Sequence, residues 1–180
     1  MLTYRIANML ADGVNPYSVL SLTFTNKAAA EMKERIKTVV GEKAKYLWMG
    51  TFHSIFARIL RVESDKLGYP STFTIYDTAD SRSVLKSIIK ELSLDEAVYK
   101  VNEVHSRISL AKNNLVTPAV YANTSSLVTI DAANRRPRIA DIYKKYMQKC
   151  YLSGAMDFDD LLLNTNVLFR DHADVLDKYQ

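Results

Sequence analysis

The stretch LTFTNKAAAEM, residues 22–32, decides how the rest of the chain is interpreted. The segment that leads into it, SVLSLTF at residues 18–24, has the nearly continuous apolar character of a buried parallel strand. A helical pattern follows Thr-Asn-Lys and extends from residue 28 to residue 40. Polar groups at such a junction are typical of sites that bind anions or nucleic acids, because a helix N-terminus presents free N–H groups. The same pattern also forms ordinary β-to-α turns, so this stretch alone leaves both interpretations open.

The amino-acid composition excludes several classes of protein. The 180 residues suffice for one large domain or two small ones, and an apolar content of 48% excludes a disordered chain. A net charge of +4 is compatible with an anionic partner. Cys150 is the only cysteine, which excludes an intramolecular disulfide or thiolate metal cage and fits a reducing compartment. Because the sequence shows no signal peptide and no run of about 18 apolar residues, it predicts a cytoplasmic protein without membrane contact.

Strand and helix patterns alternate over roughly the first ninety residues, which predicts a parallel sheet. The later strand patterns are YLWMG at residues 46–50 and residues 73–76, with an amphipathic helix between them at residues 51–67. After about Leu94 the chain shows helix patterns only, and the last begins at MDFDDLLL with Asp157 as its N-cap. The predicted fold is therefore α/β, with a partial parallel sheet, an all-helical part and a final helix that returns to the sheet.

Two strand-to-helix junctions supply the candidate binding residues, because parallel strands end at one sheet edge and open α/β sheets bind ligands there. These residues are Phe24, Thr25, Asn26 and Lys27 at the first junction and Thr51, Phe52 and His53 at the second. Aromatic rings at these positions can stack on bases while the polar groups hold phosphates. In the alternative interpretation, Phe24 belongs to the core, Asn26 caps the helix and Lys27 is solvated. A catalytic role for His53 would need a partner that the sequence does not show.

Two other charged segments have both a structural and a functional interpretation. The acids of MDFDD could suggest a divalent metal, but a helix cap with favourable dipole interactions explains them more simply, so no metal site is expected. A basic stretch near NRRPR contains Arg135, Arg136 and Arg138. Such a stretch can contact a nucleic-acid backbone, or it can be a solvated surface next to a helix whose tyrosines pack inward.

Four segments, in this order, resemble the superfamily 1A DNA helicases of the UvrD/PcrA/Rep type. They are LTFTNKAAAEMKERI (motif Ia of that family), GTFHSIFARILR (the motif Ib region), FTIYDTADS and MDFDDLLL. The resemblance covers essentially the whole chain. In the helical middle part it rests on the pattern of helices more than on sequence motifs. It implies a P-loop NTPase (RecA-like) motor domain, with residues 1–94 in domain 1A, residues 95–153 in the inserted helical subdomain 1B, and residues 154–180 as a helix that returns to domain 1A.

The resemblance also implies where DNA would bind. In these helicases the TFTNKA and TFHS segments lie on or beside the path of single-stranded DNA, which applies here to Phe24, Thr51, Phe52 and His53. Subdomain 1B faces the duplex, so the basic residues near Arg135 would lie at a junction of single and double strands. The intact enzyme couples ATP-driven closure of two motor domains to 3′-to-5′ stepping along one strand.

The ATP-binding motifs of the family are expected outside this sequence. The family's GxGKT loop precedes the helix that corresponds to LTYRIA at residues 2–7, and its Mg²⁺-binding DExx motif follows the helix that ends here near Gln180. We therefore expect a helicase fragment with no catalytic residue of its own, which binds neither ATP nor Mg²⁺ by itself and does not hydrolyse ATP. A truncated sheet would also expose a strand edge through which a non-native dimer can form.

Two alternative functions remain open. The chain could belong to the helicase subunit of a recombination helicase–nuclease, since such subunits carry similar motif Ia sequences, although their insertions are usually larger. It could instead be a non-catalytic nucleic-acid-binding module with a helicase-like fold.

Overall fold

The structure, a computed structural model, describes residues 2–180. Its strands are β1 (Leu20–Thr23), β2 (Trp48–Thr51), β3 (Thr74–Tyr76) and β4 (Ala155–Asp157). Its helices are α1 (Leu2–Ala11), α2 (Asn26–Val40), α3 (Phe52–Val62), α4 (Thr78–Glu91), α5 (Val101–Asn113), α6 (Pro118–Asn123), α7 (Ser125–Ala133), α8 (Ile139–Leu152), α9 (Phe158–Asp171) and α10 (Ala173–Tyr179). Short 3-10 helices occupy Pro16–Ser18, Gly41–Tyr46 and Ser64–Leu67. Within residues 2–180, no helix has the length and apolar character needed to cross a membrane.

The chain divides into two compact units, the first ending at Arg58 and the second beginning at Ile59, so the division falls inside α3. This division reflects compactness and does not test the predicted subdomain boundaries at residues 94 and 153, which stay predictions. The predicted α/β class is confirmed, but the strands described in residues 2–180 form two separate parallel pairs. One pair, β1 with β2, lies in the first unit, and the other, β3 with β4, lies in the second.

In the first unit, α2 connects β1 to β2, and the two strands pair in register from Leu20 opposite Trp48 to Thr23 opposite Thr51. Gly41 ends α2 with a φ of 65°, a conformation that favours glycine because it has no Cβ. The apolar side of α2 packs with α1 and the strands around a small core. Its buried members are Ile6, Leu10, Val19, Met32, Ile36, Ala44 and Leu47.

In the second unit, β3 pairs with β4, a strand that the sequence analysis missed. The segment after the helical part thus pairs with β3 as a strand before α9 begins. The helices α4, α5, α6 and α8 enclose the larger core, which includes the fully buried Tyr143, Tyr146 and Cys150. The inward packing of the two tyrosines agrees with the structural interpretation of the basic stretch. Burial raises the pKa of the Cys150 thiol to about 12.

A buried lysine joins three elements of the second unit. The ammonium Nζ of Lys112, on α5, lies 2.7 Å from Asp157 Oδ2 and 2.8 Å from Asp160 Oδ1, and the side chains of Lys112 and Asp160 have no exposed surface. The hydroxyl of Tyr146, on α8, donates to the same Asp157 oxygen at 2.7 Å. Asp157 and Asp160 also form a capping box at the start of α9, as the sequence predicted for Asp157. Two of the three acids of MDFDD, Asp157 and Asp160, therefore face an internal cation, Lys112, whereas Asp159 accepts a hydrogen bond from Asn113 at 3.0 Å.

This buried cluster holds two carboxylates and one ammonium group, so full ionisation leaves one negative charge uncompensated. Burial raises the pKa of Asp160 to about 6, whereas Lys112 and the hydrogen bond from Tyr146 outweigh burial at Asp157 and lower its pKa. Burial alone would lower the pKa of Lys112, but the two nearby carboxylates raise it above its usual value. The cluster thus favours an ionised Lys112–Asp157 pair with a proton on Asp160 under mildly acidic conditions.

We expect Lys112→Met to reduce the free energy of unfolding by about 3–5 kcal/mol, because it leaves two buried carboxylates without their cation. Urea denaturation followed by circular dichroism measures the change. The control is Lys86→Met, which replaces an exposed lysine on α4 and should shift the same quantity by less than about 0.5 kcal/mol. Equal losses in the two variants would contradict the structural role of Lys112.

We also expect Asp160→Asn to change how stability depends on pH. Because the pKa of Asp160 is raised to about 6 in the folded chain, the folded state binds a proton as the pH falls through 6, while the unfolded state does so only near 3.8. The wild-type chain should therefore gain melting temperature relative to the variant between pH 8 and pH 5. His105, whose pKa burial lowers, titrates in both proteins and cancels in this comparison. A difference that is constant with pH would contradict the assignment.

Candidate nucleic-acid interface

Parallel pairing brings the two predicted junctions to one edge of the first sheet. Thr23 and Thr51 are partners at the carboxyl ends of β1 and β2, and each is followed directly by a phenylalanine. The ring centroids of Phe24 and Phe52 lie 5.7 Å apart with an angle of 46° between the ring planes. The structure thus brings TFTNK and TFHS into contact, as their order in the sequence suggested.

Phe24 is 92% exposed, so it is not a core residue. The backbone on both sides of it is fixed by hydrogen bonds. Thr23 Oγ1 donates to the carbonyl of Thr25 at 3.2 Å, and Thr25 Oγ1 accepts from the amide of Ala28 at 3.2 Å. Because these bonds fix the chain direction between the end of β1 and the start of α2, the Phe24 ring points into solvent although it is apolar.

The threonines of both junctions are used as helix caps. Thr25 is the N-cap of α2, so Asn26 is the first residue of the helix and the alternative that made Asn26 the cap is wrong. Thr51 is 7% exposed, and its Oγ1 accepts from the amide of Ser54 at 3.3 Å. Both threonines therefore shape the junctions through these bonds, and Thr51 has little surface to offer a ligand.

Asn26, Lys27 and His53 are exposed in the first turns of α2 and α3. Backbone N–H groups in the first turn of a helix have no intrahelical acceptor, and they carry the positive end of the helix dipole. The amide nitrogens near Asn26 and the ammonium of Lys27 can therefore act together on a phosphate beside the Phe24 ring.

A third ring extends the contact between Phe24 and Phe52. Phe56 lies one turn further along α3, with its centroid 6.2 Å from that of Phe52 and an angle of 61° between the ring planes. We call Phe24, Phe52 and Phe56 the aromatic row. Phe56 lies within the amphipathic helix predicted at residues 51–67, and this contact was not predicted, although the i, i+4 spacing of Phe56 from Phe52 could have indicated it.

Arg58 and Trp48 form another contact that the sequence analysis did not identify. The guanidinium carbon of Arg58 lies 4.1 Å from the centroid of the Trp48 ring, which is cation–π geometry. Arg58 is exposed and Trp48 is half-buried. This contact joins α3 to the first residue of β2 within the first unit.

The predicted basic stretch belongs to the second unit and is partly neutralised. Arg136 pairs with Glu103 at 2.6 Å, and Arg138 pairs with Asp141. Arg135 is exposed and adopts a left-handed φ of 58° after the end of α7. Exposed ion pairs of this kind contribute little to stability, so a phosphate can replace the carboxylate partner of Arg138 at small cost.

Comparison with known proteins gives one family and a consistent set of relatives. A family model described as the UvrD/REP helicase N-terminal domain matches residues 1–180. "ATP-dependent DNA helicase PcrA" from Staphylococcus aureus strain Mu50 is 40% identical over 100% of this chain and 24% of its own length. The proteins of the same name from Bacillus subtilis strain 168 and Staphylococcus epidermidis are 39% identical over the same shares. The chain thus spans about a quarter of the length of these curated relatives.

We expect Phe24→Ala to leave the fold of the first unit intact, because the ring is exposed. The free energy of unfolding should change by less than about 1 kcal/mol, which is the contribution of an aromatic pair. The matched control is Ile36→Ala, which removes a fully buried side chain of the same unit and should cost about 2–5 kcal/mol. Thermal and urea unfolding measure both variants, and a loss in Phe24→Ala as large as that in Ile36→Ala would show that Phe24 is part of the core.

Proposed function

This chain belongs to the UvrD/REP helicase N-terminal domain family, and on that premise we propose that it carries part of the single-stranded DNA contact of an ATP-dependent DNA helicase that moves 3′ to 5′. The observation that carries the proposal is the exposed Phe24 ring at the edge where β1 and β2 end. The relatives support it, since each is named an ATP-dependent DNA helicase.

The proposed contact combines a stacking surface with phosphate binding. A base stacks on the Phe24 ring, because every base has a flat π-face and such stacking tolerates any sequence. The neighbouring phosphates accept hydrogen bonds from the first-turn amides of α2 and from the side chains of Asn26, Lys27 and His53. Thr25 and Thr51 contribute indirectly, because they cap the helices that present these groups.

ATP and Mg²⁺ are proposed as cofactors of the helicase to which these residues would contribute, and not as ligands of these residues. The sequence contains no GxxxxGK[ST] loop to hold phosphates. Within residues 2–180, no group of three acidic, histidine or cysteine side chains is placed to hold a metal ion. The described residues therefore do not fit a nucleotide–magnesium site, and we assign them no step of ATP hydrolysis.

The remaining partners are proposed from charge and exposure. Arg135 and Arg138 are exposed and lie in the segment that the family resemblance places towards a duplex, so we propose that they contact the duplex side of a DNA junction. Leu20, on β1, is 56% exposed, and a non-native dimer through the outer edge of that strand is the proposed form of self-association. The cytoplasm remains the proposed compartment.

We expect the 180-residue chain to bind single-stranded oligonucleotides weakly and with strong salt dependence, because phosphate contacts release counterions. Phe24→Ala should weaken this binding by roughly tenfold, given about 1–3 kcal/mol for each stacked base. Fluorescence anisotropy with a labelled oligonucleotide measures both effects.

The matched control is Tyr17→Ala. Tyr17 is 60% exposed, belongs to the same unit and contacts the ring of Tyr46, with centroids 5.2 Å apart. It precedes β1, whereas Phe24 follows it, so its removal should leave the affinity unchanged. Anisotropy that stays flat at low salt, or equal losses in the two variants, would contradict the proposed contact.

A further inference from the structure

The Phe24 ring contacts a ring from α3. The Phe24 side chain has 92% of its surface exposed, so few neighbours restrict it. Phe52 lies against it at 5.7 Å and 46°, and Phe56 lies against Phe52 at 6.2 Å and 61°. An exposed side chain normally exchanges among rotamers, and fixing it on binding costs free energy. A neighbouring ring that restricts these rotamers beforehand reduces this cost.

The exposure of α3 residues argues against a purely structural role for Phe52 and Phe56. Helix α3 buries Ile55, Ala57, Ile59 and Leu60, each 5% exposed or less. Phe52 and Phe56, one turn apart, lie on the same face of α3 as Ile55, Ile59 and Leu60 but are only half-buried. Burial against the core therefore accounts for only part of each ring, and the Phe52 ring also contacts Phe24.

We propose that Phe52 and Phe56 are positioning residues that hold the Phe24 ring in the orientation that stacks on a base, and that Phe24 is the ring of the aromatic row that touches DNA. This inference rests on the proposed function. It assigns Phe52 a different role from the direct DNA contact that the sequence analysis predicted. Phe56 acts indirectly, because it restricts the rotamers of Phe52.

The test is a double-mutant cycle between Phe24 and Phe52, with single-stranded DNA affinity as the readout. Phe52→Leu keeps an apolar side chain but removes the ring, and should weaken binding by about threefold to tenfold. The slope of affinity against salt should stay that of the wild-type chain, because the phosphate contacts remain. The double variant Phe24→Ala/Phe52→Leu should bind no more weakly than Phe24→Ala alone, since Phe52 acts only through Phe24.

Ring mobility gives a second readout that needs no DNA. With ¹³C-labelled phenylalanine, NMR relaxation of the Phe24 ring should show a restricted side chain in the wild-type protein and a more mobile one in Phe52→Leu. Phe56→Leu should produce a smaller change of the same sign and serves as the second variant if Phe52→Leu lowers the melting temperature. Unchanged ring mobility in both variants would overturn the positioning role, whatever the DNA affinity.

The two proposals fail in distinguishable ways. If Phe24→Ala leaves the affinity for single-stranded DNA unchanged, the proposed DNA contact is wrong, and so is the positioning role of Phe52 and Phe56. If Phe24→Ala weakens binding but Phe52→Leu does not, the contact stands and only the positioning role is wrong. If the losses from Phe24→Ala and Phe52→Leu add in the double variant, Phe52 contacts DNA independently and the inference is overturned.

Discussion

The in-register pairing of β1 with β2 is the constraint on which the proposed interface depends. Thr23 lies opposite Thr51, so the residues that follow the two strands emerge side by side at one sheet edge. A shift of one residue in this register would turn the side chains of one strand to the opposite face. The contact of Phe24 with Phe52, and hence the aromatic row, follows from this register and from the threonine caps that start α2 and α3.

The elements that could be predicted from the sequence are those with a strong local signal. β1 and β2 are apolar runs that lead into polar turns, and α3 repeats apolar residues at helical spacing, so each was identified within a few residues. The three-residue strand β4 was missed because it exists only through its pairing with β3, which is distant in the chain. The Asp157 cap was predicted from local pattern, whereas its partner Lys112 lies 45 residues away on α5 and could not be.

The candidate site was predictable in position more than in the role of each residue. Two polar junctions after parallel strands predicted that the candidate residues lie together at one sheet edge, because that rule depends on topology alone, and the pairing of β1 with β2 places them there. Whether Phe24 was core or exposed depended on the direction of the chain between the end of β1 and the Thr25 cap, which composition does not encode. The ion pairs of Arg136 and Arg138 likewise depend on acids that the helical packing brings close.

The burial of Cys150 makes the thiol a reporter of motion in the second unit. Cys150 has no exposed surface and its thiol pKa is raised to about 12, so a thiol-modifying reagent at neutral pH finds neither access nor thiolate. Labelling therefore requires the core around α8 to open, and its rate follows the free energy of that opening. Cys150 is the only cysteine in the sequence. A probe cysteine added near Phe24 can therefore be labelled selectively in the folded protein, because the buried Cys150 thiol does not react with the reagent.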